Sequence, residues 1–343
     1  MKIICSIGPN IKNESDLDGF VKAGMNSMRL NFSHADYPMA ESRIKYIRNK
    51  YPYIEIVQDL QGNKLRVSNY FKGQIKVKIG EFVTFCSEEY FRRIKNFKGR
   101  EVFVPIALEM DFKALLSADK FLMKDATMEF EIIEKQQDRI KTKVVRGGII
   151  RGEKGINAPG MDRSSAKLTS KDKRDIKFGI KNKVDVICLS YASNKEIVEE
   201  LAEYIKELAK EDSEYRMPKI WAKIECMDGV KNINEILKSV DGIMLGRGDL
   251  SSEVDVIEIP QIEEKIISTM KEMKQELIIA TFILESMRMS TIPSIAEVEA
   301  IAHFTKSQVD GIMLAGEVGV GRNPLTVIST AKAIIERYES CQR

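Results

Sequence analysis

Two carboxylates and two cations in this sequence have the residue types and the spacing to do chemistry together. In the segment Lys223-Ile224-Glu225, the period of two along a strand puts Lys223 and Glu225 on the same face. Asp249 follows the next predicted strand, and carboxylates from neighbouring strands hold Mg²⁺ (or Mn²⁺) while leaving positions for substrate and water. Arg29 and Lys223 supply the positive charge that a moving phosphoryl group needs. The sequence therefore predicts a metal-assisted reaction on an anionic, phosphorylated substrate.

These side chains need a scaffold that brings strand ends together, and the pattern of the chain predicts one. Short apolar, β-branched runs alternate with amphipathic helical runs, which is typical of βα units around a parallel sheet. Eight such units predict a closed (β/α)8 TIM barrel, an α/β fold in which polar strand ends converge on one cavity. The predicted strands are Lys2–Gly8, Met25–Phe32, Ile54–Leu60, Val184–Tyr191, Ile220–Glu225, Asp241–Arg247, Leu277–Phe282 and Asp310–Gly316.

The interval between the third and fourth predicted strands has a different pattern. Apolar residues alternate in stretches such as KIGEFVTFC and RIKTKVV, and glycines separate these stretches. We therefore expect a small antiparallel β domain at residues 63–157, inserted into a barrel formed by residues 1–62 and 158–343. Because the insertion leaves the barrel at the C-terminal end of a strand, it should stand over the active-site face as a lid.

Composition excludes several classes of protein. The 343 residues carry 54 Lys and Arg against 51 Asp and Glu, a net charge of +3, which argues against binding driven by nucleic-acid phosphates. The sequence has no long apolar run and no signal-peptide pattern, so we expect no membrane association and a cytoplasmic location. The five cysteines form no CxxC pair, which argues against a disulfide framework or a thiolate zinc site and favours buried, small apolar residues.

At these residues the sequence resembles the pyruvate kinase family, in the same order from residue 3 to about residue 335. The resemblance implies the barrel with its inserted β domain, and transfer of the phosphoryl group of phosphoenolpyruvate to ADP to give pyruvate and ATP. The segments that carry it are IICSIGPN (3–10), GMNSMRLNFSHA (24–35), DLQGNKLR (59–66), KGINAPG (154–160), AKIECMDGVKNINEIL (222–237), DGIMLGRGDL (241–250), ATFILESM (280–287) and DGIMLAGE (310–317).

The resemblance also implies a role for each site residue. Glu225 and Asp249 would bind the catalytic Mg²⁺, and Lys223 and Arg29 would stabilise the moving phosphoryl group. Backbone N–H groups of Gly248 and Asp249 would receive the substrate carboxylate, and Thr281 would help to protonate the enolate. The positions that match the family's nucleotide phosphate site are Asn31, His34, Arg66 and Lys154.

The family divides by its need for a monovalent cation, and two residues resemble the potassium-independent branch. Leu60 and Lys64 stand where potassium-dependent members carry Thr and Glu. An ammonium group near the site can replace K⁺, so we expect K⁺ not to be required. The other potassium-type ligands, Asn31, Ser33 and Asp59, are present, and an alternative is that Asp59 pairs with Lys64.

Other positions depart from the family pattern and leave the substrate open. Gln61, Asn63, Lys124-Asp125-Ala126, Ser251, Phe282 and Ala315 replace the usual residues. The chain ends at Arg343, where typical members continue into an effector-binding domain, so loss of that regulation is expected. A homodimer or higher oligomer through the barrel is compatible with the sequence, although Ile295 replaces an Arg usual near that interface. Two alternatives remain: a metal-enolate lyase of the same barrel group, and a non-catalytic or specialised homologue that acts on another enolate acid.

Overall fold

The computed structural model describes residues 1–34, 36–94, 101–124, 126–210 and 217–340. Strands and helices alternate along most of the chain, and a block of strands interrupts the alternation. In chain order the strands are β1 (Lys2–Ser6), β2 (Ser27–Asn31), β3 (Glu55–Asp59), β4 (Arg66–Val67), β5 (Gln74–Val77), β6 (Phe82–Ser87), β7 (Val102–Ala107), β8 (Lys120–Met123), β9 (Met128–Gln136), β10 (Arg139–Arg146), β11 (Gly148–Arg151), β12 (Ile156–Asn157), β13 (Val186–Leu189), β14 (Lys219–Ile224), β15 (Gly242–Gly246), β16 (Glu276–Ala280) and β17 (Gly311–Leu314).

The helices follow the barrel strands, apart from α3, which lies in the insertion. They are α1 (Asp16–Ala23), α2 (Tyr37–Lys50), α3 (Glu88–Arg93), α4 (Ser170–Lys181), α5 (Lys195–Ala209), α6 (Met227–Lys231), α7 (Ile233–Ile236), α8 (Arg247–Leu250), α9 (Ile259–Met273), α10 (Ile295–Lys306), α11 (Gly316–Gly319) and α12 (Pro324–Glu339). Short 3₁₀ helices cover Phe112–Ser117, Leu237–Ser239, Val256–Glu258 and Glu285–Arg288.

Eight parallel strands close into a barrel in the order β1-β17-β16-β15-β14-β13-β3-β2. The predicted (β/α)8 TIM barrel is confirmed, with each strand shorter at one or both ends than the apolar run that predicted it. Side chains such as Ile4, Trp221 and Ile278 fill the barrel interior and are almost fully buried. A larger apolar core lies between the strands and the surrounding helices. The barrel is therefore a packed core whose open end is at the C-terminal ends of its strands.

Helix α5 shows how the sequence builds the outer layer. The side chain of Asn194 accepts a hydrogen bond from the N–H of Ile197, which satisfies one of the free amides of the first turn. Ile197, Leu201 and Ile205 recur every four residues and are buried against the barrel, while charged residues occupy the other face. Helix α12 begins at Pro324, whose fixed φ suits the first turn of a helix.

The inserted residues build a separate β structure with its own apolar core. Seven strands form a sheet in the order β12-β8-β9-β10-β6-β7-β4, and β11 pairs with β5. The rings of Phe121 and Phe130 pack edge-on against Phe85, with centroids 4.9 and 5.2 Å away. The expectation of purely antiparallel pairing is wrong for one pair, since β6 and β7 are parallel. Parallel neighbours need a crossover connection, and α3 lies in the segment that joins these two strands.

The chain leaves the barrel at Gly62 and returns at Asn157, both at the C-terminal end of the barrel strands. Gly62 has a φ of +62°, and a Cβ at this position would lie 2.1 Å from the carbonyl oxygen of Ser190. Only glycine therefore fits this exit. The two crossings touch through an antiparallel bridge between Arg66 and Gly155. Among the described residues, no helix combines the length and apolar character needed to cross a bilayer.

Candidate active site

A cavity of about 350 Å³ opens at the C-terminal end of the barrel, bordered by barrel and inserted residues together. Among the described residues its wall includes six Lys and Arg side chains and two carboxylates, so this part of the cavity carries a strong positive charge suited to a polyanionic ligand. The lining residues are Arg29, Asn31, Ser33, His34, Gln61, Lys64, Arg66, Lys124, Lys154, Gly155, Ser190, Tyr191, Lys223, Glu225, Gly248, Asp249, Thr281, Met313 and Ala315.

Lys223 lies at the centre of this wall, between two buried carboxylates. Its Nζ is 2.9 Å from Oε1 of Glu225 and 3.3 Å from Oδ2 of Asp59. The predicted shared face of Lys223 and Glu225 on β14 is what allows the first contact. Asp59 also accepts a hydrogen bond from the hydroxyl of Ser190 at 3.0 Å. The ammonium group is therefore held in place before any ligand arrives.

Arg29 is fixed by the same carboxylate, Asp59. Its Nε and Nη2 lie 2.7 and 2.5 Å from Oδ2 of Asp59, and Nη1 donates to the hydroxyl of Ser6 at 2.7 Å. Arg29, Asp59 and Lys223 are each at most one-tenth exposed. A guanidinium held by several hydrogen bonds loses little further freedom when it meets an anion.

Burial and charge pairing change the protonation of these groups. Burial raises the pKa of Glu225 to about 7, because the attraction of Lys223 only partly offsets the loss of hydration. Burial alone would lower the pKa of Lys223, but Asp59 and Glu225 outweigh it and hold that pKa above its usual value. Burial would raise the pKa of Asp59, but Lys223 and Arg29 lower it. Lys223 thus stays charged, and the pKa of Glu225 lies close to neutral pH.

Lys64 is paired with Asp249. The Nζ of Lys64 lies 2.9 Å from Oδ1 and 2.8 Å from Oδ2 of that carboxylate, and the amide of Asn157 is 3.4 Å from Oδ1. Burial would raise the pKa of Asp249, but Lys64 outweighs it and lowers that pKa to about 2. The suggested alternative pair of Asp59 with Lys64 is wrong, because Asp59 is already held by Arg29 and Lys223.

The residues expected at the monovalent-cation position do not all reach the cavity. Asn31 and Ser33 line it, and Asp59 lies just beneath its wall. Leu60 does not line it: its side chain is in the apolar core between strands and helices, because successive residues of a strand point to opposite faces. Of Leu60 and Lys64, the two positions that resemble the potassium-independent branch, Lys64 is therefore the one whose side chain reaches the cavity.

Thr281 stands in a strained turn at the end of β16. Thr281 and Phe282 both have left-handed backbones, with φ of 66° and 53°. The guanidinium of Arg247 donates to the carbonyl oxygens of both residues, at 2.6 and 2.9 Å, and so holds the turn. The hydroxyl of Thr281 accepts the N–H of Gly248 at 2.7 Å, so this amide, expected to face a substrate carboxylate, is engaged by Thr281. The substrate must compete for it.

The residues matched to a nucleotide phosphate site lie together at the cavity mouth. His34, Arg66 and Lys154 line it, as does Lys124 of the insertion. Burial, followed by the charge of Arg66, lowers the pKa of His34. Burial and then repulsion by Lys124 lower the pKa of Lys154. The Nε of Arg66 is buried and finds no hydrogen-bond partner among the described residues. Lys124 and Lys154 repel each other, and the Nε of Arg66 beside them has a hydrogen bond to give. Both features indicate that this part of the cavity suits an anion.

A second, mostly apolar cavity of about 830 Å³ adjoins the first. The two share Arg29, Asn31, His34 and Ala315, and the second continues along Ile7, Pro9, Leu30, Met39 and Val320. A ligand with charged groups at one end and a flat apolar group at the other can occupy both cavities.

Glu225 and Asp249 suit a hard divalent cation. They follow adjacent strands, line one cavity, and offer carboxylate oxygens, the donors that Mg²⁺ and Mn²⁺ prefer. A Cβ on Gly246 would lie 2.8 Å from Oε1 of Glu225, so glycine keeps the space beside this carboxylate open. In the described ranges no three His, Cys, Asp or Glu side chains gather as a complete ligand set. The two carboxylates therefore fit a cation whose other ligands are substrate and water.

The positions that depart from the family pattern fall into two groups. Gln61, Lys124 and Ala315 line the cavity and act directly on its shape or charge. The others lie outside it. The amide of Asn63 donates a hydrogen bond to the carbonyl oxygen of Lys167, and the hydroxyl of Ser251 donates one to the carbonyl oxygen of Gly248. The side chain of Phe282 is about half exposed. Asp125 and Cys341 lie outside the described residues. The other four cysteines are buried free thiols.

Sequence reasoning missed two residues of the site and the role of a third. Ser190 and Tyr191 follow the fourth barrel strand, and the rule applied to the other strand ends would have found them. Tyr191 is buried, accepts a hydrogen bond from Asn157 through its hydroxyl, and donates its N–H to Glu225. The role of Arg247 depends on the strained turn at Thr281, which residue types do not reveal.

A closed eight-stranded barrel, with a cationic cavity at the C-terminal end of its strands beside an inserted β domain, defines the class of a TIM-barrel protein. The chain belongs to the pyruvate kinase family, because the family model described as pyruvate kinase, barrel domain, matches residues 1–328.

Curated relatives agree with the family match. The chain is 32% identical to the pyruvate kinase of Geobacillus stearothermophilus, over 98% of this chain and 57% of that protein. It is 31% identical to that of Clostridium perfringens, over 99% of this chain and 70% of the relative, and 32% identical to that of Thermotoga maritima, over 98% and 71%. The chain thus spans between 57% and 71% of the length of these relatives.

Proposed function

We propose that this chain transfers the phosphoryl group of phosphoenolpyruvate to ADP, giving pyruvate and ATP. The observation that carries the proposal is the wall of the cavity, where six cationic side chains surround two carboxylates fit for a divalent metal. Pyruvate kinase relatives at 31–32% identity support the same reaction.

Phosphoryl transfer needs positive charge around the phosphorus more than it needs covalent chemistry. Lys223 and Arg29, both anchored to Asp59, provide fixed positive charge to the equatorial oxygens. The bond from phosphorus to the enolate oxygen breaks, and a bond to a terminal oxygen of ADP forms. Mg²⁺ or Mn²⁺ bound by Glu225 and Asp249 would supply the charge that offsets the substrate carboxylate, the enolate oxygen and the phosphoryl group.

The enolate that remains must gain a proton on its methylene carbon to become pyruvate. Thr281 follows β16 and lines the cavity, and its hydroxyl accepts a hydrogen bond from the N–H of Gly248. We assign Thr281 to proton delivery at that carbon, with the N–H groups of Gly248 and Asp249 receiving the substrate carboxylate.

The nucleotide fits across the two adjoining cavities. Its phosphates would meet Asn31, His34, Arg66 and Lys154, with Lys124 as an added cation, and its base would enter the apolar cavity of about 830 Å³. Residues 63–157 would act as a lid, because Lys124 and Lys154 reach the cavity from that segment and its closure would exclude water from the transfer.

Lys64 supports independence from K⁺. Its ammonium group lines the cavity and supplies a positive charge near the metal carboxylates. A cytoplasmic location and oligomer formation through the barrel stay predictions of the sequence.

Pyruvate release tests the proposed activity. The assay contains phosphoenolpyruvate, ADP and Mg²⁺ at constant ionic strength, with either K⁺ or tetramethylammonium, and Glu225→Gln serves as the inactive control. We expect equal wild-type activity with both cations. Activity only with K⁺ would keep the reaction and remove the assigned role of Lys64, whereas no activity with either cation would refute the proposed function.

A further inference from the structure

Lys64 and Asn157 approach Asp249 from the two chain crossings between barrel and insertion. Lys64 lies within 2.9 Å of both carboxylate oxygens, and Asn157 lies 3.4 Å from Oδ1. Both oxygens of the carboxylate are thus already engaged by a cation. Lys64 and Asp249 are each less than one-quarter exposed, so water screens the pair only partly.

A divalent cation held by Glu225 and Asp249 needs at least one of these oxygens. An ammonium group on the same carboxylate would lie within a few ångströms of the metal ion, where two positive charges repel strongly in a partly buried site. Lys64 must therefore leave at least one oxygen when the metal ion binds.

Among the described residues, Lys64 is held by a single carboxylate. In the position where it pairs with Asp249, its ammonium group also lines the cavity and lies 5.9 Å from the ring centre of Tyr191, whose face attracts a cation. Lys223 is held by two carboxylates, Asp59 and Glu225, so it would keep Asp59 if Glu225 bound the metal. Of the two lysines beside the metal carboxylates, Lys64 is therefore the one whose carboxylate a metal ion would take.

We propose that Lys64 and the divalent cation exchange on Asp249, an inference that rests on the metal site of the proposed function. Without metal, Lys64 neutralises Asp249 and keeps the empty site from holding an unpaired carboxylate. With metal, the ammonium group of Lys64 is released into the cavity, where it faces the substrate anion. Metal binding thus prepares the site for the anion, and by linkage the anion strengthens metal binding.

Mn²⁺ binding without phosphoenolpyruvate or nucleotide tests the exchange. Electron paramagnetic resonance measures free Mn²⁺ at pH 8 and fixed ionic strength, so turnover does not enter the result. We expect Lys64→Met to tighten Mn²⁺ binding by about tenfold, because the metal no longer displaces a charge-assisted pair. Lys64→Arg, which keeps the charge, should stay within about twofold of the wild type.

Two controls make the result specific. Lys124→Met removes the same charge from the same cavity but from a side chain outside the Lys64–Asp249 pair, and it should change Mn²⁺ affinity by about twofold or less. Glu225→Gln should abolish binding at this site, which shows that the measured ion is the proposed one.

The outcomes separate the exchange from the metal site. If Glu225→Gln loses Mn²⁺ while Lys64→Met matches the wild type or binds less tightly, the exchange is refuted and the metal site stands. Equal tightening by Lys64→Met and Lys124→Met also refutes the exchange, because it reports only the general charge of the cavity. If Glu225→Gln binds Mn²⁺ like the wild type, both proposals fail.

Discussion

Replacing Lys223 by Met should damage stability and catalysis by different mechanisms. Lys223 bridges Glu225 and Asp59, and all three side chains are at most one-tenth exposed. Removing one partner of a buried ion pair leaves an uncompensated charge and costs about 3–5 kcal/mol. Asp59 keeps Arg29 and Ser190, whereas the hydrogen bond left to Glu225 among the described residues is the one from the N–H of Tyr191. The loss of stability should therefore come mainly from Glu225.

Protonation of Glu225 limits that loss. Its pKa is about 7 with Lys223 in place and must rise further without it, so the variant can neutralise Glu225 at pH 7. We expect Lys223→Met to lower the free energy of unfolding by about 3 kcal/mol, at the lower end of that range. The double variant Lys223→Met/Glu225→Gln should recover most of this free energy. Turnover should fall by about 10²–10³-fold in Lys223→Met, because the cation that faces the phosphoryl group is gone. The double variant should be inactive, because it also lacks the Glu225 carboxylate proposed to hold the metal.

Urea unfolding and pyruvate release measure the two effects separately. Lys2 is a matched control, since it bridges Glu55 and Glu276 at the other end of the barrel and is 30% exposed. Lys2→Met should cost about 1 kcal/mol and leave turnover unchanged. The reasoning is refuted if Lys223→Met unfolds like the wild type, if Glu225→Gln fails to restore stability, or if the double variant regains turnover.

Three further predictions test separate parts of the site. Thr281→Ala should slow the exchange of pyruvate methyl hydrogens with D₂O by about 10²-fold and slow phosphoryl transfer less; equal losses in the two assays would contradict its role in proton delivery. Arg66→Met should raise the KM for ADP about tenfold or more, with little change in the KM for phosphoenolpyruvate, because the unpartnered Nε of Arg66 marks the nucleotide side of the cavity; an unchanged KM for ADP would remove this assignment. Burial, and then the charge of Glu285, raises the pKa of Glu317 to about 7. Its contribution to the free energy of unfolding is therefore fully present below about pH 4.5 and is lost as the pH rises through 7. The urea midpoint of the wild type should therefore fall between pH 5 and pH 8, and Glu317→Gln should make this fall smaller. If the midpoints of variant and wild type fall in parallel with pH, the role of Glu317 is disproved.

The barrel was readable from the sequence because its signals are local and repeated. Short β-branched runs such as Ile54–Leu60 favour strands, and caps such as Asn194 mark where helices begin. The predicted strand ends then brought Lys223, Glu225, Asp249 and Arg29 to one wall. The parallel pair β6–β7 was not readable, since alternation alone gives no strand direction.

Pair contacts across the cavity were less predictable. Lys64 and Asp249 are far apart in sequence, and their contact depends on how the chain leaves the barrel at Gly62. The left-handed backbones of Thr281 and Phe282 contradict the usual preferences of those residue types, so their turn and its support by Arg247 emerge only in the folded chain. The residue types thus indicated the chemistry of the site. The ion pairs, such as that of Lys64 with Asp249, depend on tertiary contacts that the sequence does not show.

The most direct test of the central claim follows phosphorus itself. In ³¹P NMR of the chain with phosphoenolpyruvate, ADP and Mg²⁺, we expect the phosphoenolpyruvate signal to be replaced by the γ-phosphate signal of ATP in equal amount, with Lys223→Met about 10²–10³-fold slower. Unchanged phosphoenolpyruvate, or its conversion to inorganic phosphate without ATP, would contradict the assignment of this site to phosphoryl transfer.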